Sequence, residues 1–355
     1  MTRALTGGVF GPLGGTGDFA ELRRLAEDIG ARSSDERIGH RGLPDEFDAT
    51  AWRHLQDAGL TRLTSDPESG GSPRELALIL RALARHAVTV PLAETDVLAG
   101  WLAARAGLEV PEEGPLTIAI GPAGATTIPG VPYAGAAAAV VLALRDGPAL
   151  QVAIASPATI AGGHNLGGEP RDTITVEAQT DYLTVGGAAD ELLRRGAWAR
   201  CVQALGALDA AVEFSVAHTR EREQFGRPLS AFQAVQHTLA PMAGEVERAR
   251  AATELAVAAV ADHGFDSAHA DYAVTVAKVV VGRVVPVVIT AAHQLHGAIG
   301  VTLEHRLWLA TMRARGWIDE FGDTASHARR LGRLALAYDG DPWDFIVGCY
   351  SSTTP

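Results

Sequence analysis

From about residue 18 to 113 the apolar positions recur every three or four residues, the spacing of helices with one buried face. In DFAELRRLAEDIG this pattern places Phe19, Leu22, Leu25 and Ile29 together. AWRHLQDAGL and RELALILRALARHA repeat it, and GLPDEF and SDPESGGSP break it with proline and glycine. Near Pro115 the texture changes. LTIAIG, AAVVLALRDGPALQVAIA and DTITVEA are short β-prone runs, and RDGPAL between two apolar runs predicts a hairpin turn. The many alanines blur the distinction between strand and helix in this stretch. After Gly187 the helical spacing returns. Leu205, Leu208, Val212 and Val216 share one face, and Phe232, Val235, Leu239, Met242 and Val246 share another. Ser230 with Gln233 three residues on has capping-box spacing, which predicts a helix starting just after Pro228. DYAVTVAKVVVGRVVPVVITAAHQLHGAIG is rich in β-branched residues, so periodicity alone does not separate buried helix from strand. Its length and its helical neighbours favour a buried helix, kinked at Pro286.

The expected fold is therefore mostly α with a small central β domain. Residues 1–114 form an N-terminal helical domain, 115–186 a small β domain and 187–355 a C-terminal helical bundle. The composition supports a globular chain, with 47% hydrophobic and 20% charged residues. A net charge of −12 argues against a general nucleic-acid surface. Two cysteines, Cys201 and Cys349, are too few for a disulfide framework or a cysteine zinc site and fit a reducing compartment. The N-terminus lacks the apolar segment and cleavage site of a signal peptide. The longest apolar runs, such as AGAAAAVVLAL, reach about half the roughly 20 residues of a membrane span. These features predict a soluble, cytoplasmic protein with no nucleic-acid partner and no membrane span.

Candidate chemistry narrows quickly. The 12 histidines are scattered without metal-ligand spacing. There is no nucleophile elbow, no phosphate-binding Walker loop and no strand-linked dinucleotide fingerprint. Two stretches remain. In REREQFGRPLSAFQAVQH, Arg220 and Arg222 close a helix, where cations suit the dipole. Alternatively, the arginines, close backbone approach at Gly226 and the free N–H groups of the next helix suit a phosphate. In QLHGAIGVTLEHRLW, Gly297 and Gly300 are either a helix cap with a tight turn or a platform for a flat ring.

Together these stretches resemble the acyl-CoA dehydrogenase family, which is built as helical domain, β domain and four-helix domain. REREQFGRPLSAFQAVQH looks like the family's R-x-x-F-G-x-P-L-x-x-x-Q-x-x-Q segment, and QLHGAIGVTLEH its Q-x-H-G-G-x-G-x-T-x-E segment, with Ala298 at the second glycine. WRHLQDAGLTRL, PESGGS and VPLAETDVLAGWLAARAG look like its N-terminal helices. The resemblance runs from about Asp18 to Leu336. It implies FAD as cofactor and an acyl-CoA substrate. Arg222 would meet the pyrophosphate and Phe225 the adenosine half, with Gln294, Gly297 and Gly300 on the other side, commonly toward FAD held mainly by a neighbouring subunit. The implied reaction is α,β-dehydrogenation: a carboxylate removes the α-proton as the β-hydrogen leaves as hydride.

Two departures qualify that reading. The family's usual base is a Glu in a Y-E-G-T-like turn; the matching stretch is IDEFGDTAS, with Gly322 in the Glu position. The alternative base position, on an early helix of the last domain, holds Arg195. Glu320 and Asp323 are nearby, Asp323 being the weak catalytic candidate. The family's T-E-P-x-x-G-S-D segment, which contacts flavin and substrate, is replaced by GPAGATTIPG in a short β domain. Both losses resemble the degenerate, base-lacking subunits of bacterial heteromeric acyl-CoA dehydrogenases. The expected assembly is a homodimer, or a heterotetramer with a longer paralogue that carries the base. An active homo-oligomeric flavoenzyme with an unconventional base such as Asp323, and a non-catalytic acyl-thioester-binding or scaffold protein, are the alternatives.

Overall fold

The computed structural model describes residues 19–37, 42–177, 181–302 and 305–346. The N-terminal segment read for a leader, Cys349, and Leu303 and Glu304 of the second motif lie outside the described residues.

Three helices open the structure: α1 (Ala20–Glu36), α2 (Ala49–Asp57) and α3 (Pro73–Arg85). Local chemistry starts them. The Asp48 side chain accepts from the Ala51 amide at 2.9 Å, and Ser72 and Glu75 form a capping box ahead of α3 with Pro73 in its first turn. In α1, Ile29 is buried as its spacing implies, but Leu25 faces solvent and the small Ala26 takes the inner position. A π-helical stretch, Ala93–Gly100, then runs into α4 (Trp101–Ala106), which Gly107 ends in the left-handed region at φ 69°.

The β region holds two small sheets. β1 (Leu116–Pro122), β3 (Ala139–Asp146), β4 (Ala149–Ala155) and β7 (Leu183–Val185) form one in the order β1-β3-β4-β7; β2 (Thr127–Pro132), β6 (Arg171–Val176) and β5 (Pro157–Ala161) form the other in the order β2-β6-β5. The β3–β4 hairpin turns at the Gly147–Pro148 pair, with Asp146 opposite Ala149. β3 is buried on both faces. Val141 and Ala143 join the helical core, while Val140, Leu142 and Leu144 join Ile128, Val131 and Ile174 in a separate core between the sheets. This two-sided burial explains why no polar residue alternates along the strand. GPAGATTIPG contributes the end of β1 and most of β2.

The last region is helical: α5 (Ala188–Glu221), α6 (Gln233–His263), α7 (Ala268–His296), α8 (Arg306–Asp319), α9 (Thr324–Ala337) and α10 (Pro342–Ile346), with a two-residue hairpin of β8 (Glu223–Gln224) and β9 (Arg227–Pro228) after α5. α5 is the central pillar, buried all round from Gly196 to Ala211, so Leu205 and Leu208 belong to no single face. The face proposed for α6 is the inner one, with Met242 and Val246 buried. Its start differs from the capping-box expectation. Ser230 sits in a short 3₁₀ turn, its carbonyl accepting from Gln236 Nε2 at 2.9 Å, and α6 begins at Gln233 after Phe232. α7 is helical, and it runs on through Pro286. By length and apolarity it would suffice to cross a membrane, but 61% of its most apolar stretch is buried as a core helix against α5, α6 and α9.

Glycine fixes how closely α5 approaches α3. A Cβ at Gly206 would clash with the Arg81 carbonyl and stand 3.0 Å from the Arg85 amide. Gly206→Ala is expected to destabilise the fold by roughly 1–3 kcal/mol through overpacking. Gly332→Ala, in open space within α9, is expected to stabilise by roughly 0.5–1 kcal/mol. Urea unfolding of both variants checks the pair.

Candidate functional site

α5 ends where its last cap meets the hairpin. Arg222 is the C-cap, and its carbonyl accepts from the Leu229 amide at 2.9 Å across the hairpin. Phe225 and Gly226 form the turn with φ of 54° and 77°, the positive pair that a two-residue hairpin requires. Glycine accepts this geometry freely, whereas Phe225 holds it with its ring 90% exposed. The Phe232 ring stands edge-on to Phe225 at 6.2 Å and carries the Arg227 guanidinium 4.0 Å above it.

Beside this hairpin lies a groove of about 510 Å³ that brings together Arg222, Gln294 and Gly297 with His218 and His296. Gly297 ends α7 at φ 63° and ψ −143°. Arg222 has no ion-pair partner among the described residues. A buried polar atom also faces no partner here, the Nε2 of His296. An unpaired guanidinium, a positive-φ glycine and an orphaned imidazole nitrogen fit the phosphate and adenosine part of a dinucleotide. Gly300 takes no part in the groove. It is buried, and a Cβ there would stand 2.8 Å from His296 Cβ and 3.0 Å from Leu307. Phe225 projects outward from the hairpin rather than into the groove.

The two expected base positions come together elsewhere, because the Phe321 ring lies directly against Gly196. Neither offers a carboxylate. Gly322 sits at φ 94°, and a Cβ there would meet His327 Nε2 at 2.8 Å. Arg195 pairs with Glu191 at 2.9 Å and lies between the Trp101 and Phe265 rings at 4.2 and 4.1 Å. Burial pulls its guanidinium down to about 10.

Gly322 lines a cavity of about 280 Å³ with Asp190, Arg194, Asp271 and His327, and a buried charge network is built on the neighbouring Glu320. Arg200, 2% exposed, donates to Glu94, Glu320 and Gln203, each at 2.6 Å. Arg171 donates to the other Glu320 oxygen at 2.8 Å and lies 3.5 Å from Glu169. Glu169 also accepts from Trp317 Nε1 at 2.8 Å and Asn165 Nδ2 at 2.7 Å. Lys278 caps the end of α8 by donating to the Ile318 and Glu320 carbonyls at 2.9 and 2.7 Å. Burial opposes ionisation of Glu320, but Arg200 and Arg171 outweigh it and hold its carboxyl at about 2. Such a group is a poor proton acceptor at neutral pH, and both its oxygens are engaged. Asp323 is no better. It is exposed and caps α9, accepting from the Ser326 amide at 2.7 Å, and that bond holds its carboxyl below the ordinary range. Sequence reasoning missed Glu94, Glu169, Arg171 and Arg200. The available signal was the charge in PLAETDVLAG, an acidic pair inside an otherwise apolar helix.

The family model for the C-terminal domain of acyl-CoA dehydrogenases matches residues 187–333. Acyl-CoA dehydrogenase IpdE2 of Mycolicibacterium smegmatis is 27% identical over 297 residues, covering 80% of this chain and 88% of that protein. Among solved structures, a variant of the Tcur3481–Tcur3483 steroid ACAD is 26% identical with a TM-score of 0.75, over 90% of this chain and 97% of that one. The ChsE4–ChsE5 complex of Mycobacterium tuberculosis has the same fold, with a TM-score of 0.77 at 23% identity over 93% of this chain and 100% of that one. The C-terminal region of the chain is similar to the acyl-CoA dehydrogenase C-terminal domain, and most of the chain is similar in sequence and fold to proteins named as acyl-CoA dehydrogenases. Its relatives are named as acyl-CoA dehydrogenases, oxidoreductases of lipid metabolism, and the family as a whole is FAD-dependent.

Removing one partner of the buried network leaves the others uncompensated. Glu320→Gln is expected to cost roughly 3–5 kcal/mol, whereas Asp323→Asn keeps a good cap and should change stability by less than about 0.5 kcal/mol. The folded pKa of Glu320 is depressed, so its contribution is present above the ordinary 4.5 and is lost as pH falls toward about 2. Urea unfolding of wild type and Glu320→Gln should therefore converge as pH is lowered through that window.

Proposed function

We propose that this chain is a subunit of an FAD-dependent acyl-CoA dehydrogenase, supplying the phosphate-binding groove and the assembly surface while a partner chain supplies the catalytic base. The observation that carries this reading is the contrast between the two regions. The groove at Arg222 is open, whereas Arg195 is packed between two rings, both Glu320 oxygens are held by arginines, and in the cavity of about 280 Å³ at Gly322 the Asp271 carboxylate is paired with Arg194 and Arg330. When bound, FAD would supply the two-electron redox chemistry of α,β-dehydrogenation. The part this chain plays is electrostatic and positional. Arg222 would neutralise pyrophosphate charge, and Gln294 and the Gly297 backbone would fix the adenosine half. No proton step is assigned to its own side chains, since its carboxylates near the base positions are paired or engaged as a helix cap.

Surface features support a partner. The outer face of α7 carries Arg283, Pro286, Val287, Thr290 and Gln294 exposed in helical succession, a mixed polar and apolar face that leads to the groove. Phe225 projects beyond this chain at the hairpin tip, as expected of a side chain that completes a site on a neighbour. The solved pair Tcur3481–Tcur3483 and the ChsE4–ChsE5 complex are heteromeric by name, which favours a second kind of chain over a second copy. The steroid designation of the first pair makes a steroid side-chain acyl-CoA the leading substrate to assay, beside fatty acyl-CoAs.

Two outcomes are expected. Arg222→Ala should weaken flavin binding in the assembled protein by roughly 1.5–3 kcal/mol, about ten- to a hundred-fold, with thermal stability of the flavin-free protein unchanged. Flavin absorbance after dialysis measures this, and equal occupancy would reduce the arginine to a helix end. The chain alone should show no useful acyl-CoA dehydrogenation, and Asp323→Asn should leave the activity of the assembled complex intact. Turnover by the unmodified chain without a partner, abolished by Asp323→Asn, would overturn the proposal.

A further inference from the structure

Three histidines from separate parts of the sequence meet beside the Arg222 groove, two of them, His218 and His296, lining it. The His218 ring of α5 stacks on that of His296, the last residue of α7, with centroids 4.5 Å apart and planes inclined by 22°. His305, just ahead of α8, meets His296 edge-on at 4.9 Å and 68°, and Phe214 stands edge-on to His305 at 6.4 Å. His296 is only 6% exposed. Its Nδ1 lies 2.8 Å from the Ala292 carbonyl oxygen, which can only accept, so Nδ1 carries the proton. The neutral ring then presents Nε2 as a bare acceptor, the atom that has no partner among the described residues.

Charged and titratable groups approach this stack from α5, α7 and the start of α8. From α5, His218 is faced by Arg222 and Glu221. From α7, His293 sits one turn before His296, its Nε2 2.9 Å from Thr311 Oγ1 of α8. Arg306, next to His305, is drawn off by Asp35 at 2.8 Å. Burial first, and neighbouring imidazoles second, push His218, His293 and His305 below their ordinary value. A second proton within 4.5 Å of a first would be strongly opposed, so the stack can take up one.

We infer that the His218–His296–His305 stack is a proton-linked wall of the cofactor groove: a nucleotide pyrophosphate bound beside Arg222 is taken up together with a proton, which lands on a ring nitrogen of the stack. This rests on the reading that the groove holds the dinucleotide. The linkage has a definite sign. Phosphate charge favours the imidazolium, so the bound-state pKa lies above the free one. Uptake occurs between the two values. Affinity rises as pH falls through the bound-state value and levels off below the free-state value, by at most about tenfold per pH unit for one proton. Nothing is oxidised or reduced, and the proton comes from solvent.

The test is calorimetric titration of ADP-ribose, whose pyrophosphate has no group titrating near neutrality, into the full chain in the assembly in which it is purified. Repeating it near pH 7 in buffers of different ionisation enthalpy counts protons directly. The expected result is net uptake that disappears in His296→Asn, with binding weakened but retained. His218→Gln, at a half-exposed position, gives the same readout if His296→Asn does not fold, and its uptake should fall. Binding that Arg222→Ala weakens, with the same heat in every buffer, would overturn the proton linkage and leave the cofactor reading standing. No binding at all would overturn both.

Discussion

Arg200 is the constraint around which the molecule closes. An isolated guanidinium at that depth would be prohibitively costly, so the fold must deliver acceptors to it. Glu94 comes from the π-helical stretch of the N-terminal region, Glu320 from the end of α8, and Gln203 from α5 itself. Glu320 in turn holds Arg171 on β6. A single charged cluster thereby ties the helical domain, the β region and the bundle to one another. A second buried pair works beside it. Arg313 of α8 donates to Asp45 at 2.9 Å and to Thr89 at 2.7 Å, and Arg37 adds a contact to Asp45 at 2.5 Å. Such pairs contribute little beyond an apolar core of equal volume, but they tolerate few alternative arrangements.

The π-helical stretch follows from the same demand. Glu94, Thr95 and Asp96 are consecutive and fully buried, and each needs its own partner. Glu94 takes Arg200. Thr95 Oγ1 bridges the Leu116 amide and carbonyl at 3.0 Å, anchoring β1. Asp96 accepts from the Thr64 and Ser65 amides at 3.0 and 2.7 Å. Inserted residues that widen a helix turn are common where side chains must be aimed individually. Here they serve cohesion. The cost is that Glu320, the buried carboxylate nearest Gly322, is committed to joining the domains.

The open region obeys different physics. The groove at the end of α5 is built from a helix C-cap, a positive-φ turn and the end of α7, none of which needs deep burial. Its polar atoms remain unpaired because the elements around it end there. Paired carboxylates inside and an open groove at the end of α5 set the two regions apart. The histidine stack lies at that boundary, half in the core and half on the groove, which makes its charge responsive to what the groove holds.

The order of elements was legible because it depends on local patterns. The three-and-four spacing of α1, α3 and α6, the turn at Gly147–Pro148 and the paired motifs around Arg222 and Gln294 all act over a few residues. The errors were also local in origin. Leu25 followed the helical spacing yet faces solvent, because a neighbouring alanine fits the contact better. Ser230 had capping spacing yet lies in a preceding turn, because the hairpin sets where α6 begins. β2 was hidden because Pro129, Gly130 and Pro132 interrupt it, and its strand character comes from pairing with β6. By itself, the sequence determined that no carboxylate stands at position 322 or 195, since residue identity alone decides that. What became of Glu320 and Asp323, the nearby carboxylates, was decided only by tertiary structure. Two arginines distant in sequence converge on Glu320 and hold it ionised, and the start of α9 engages Asp323. Ionisation and accessibility are properties of a side chain's surroundings, and those surroundings come from residues far along the chain.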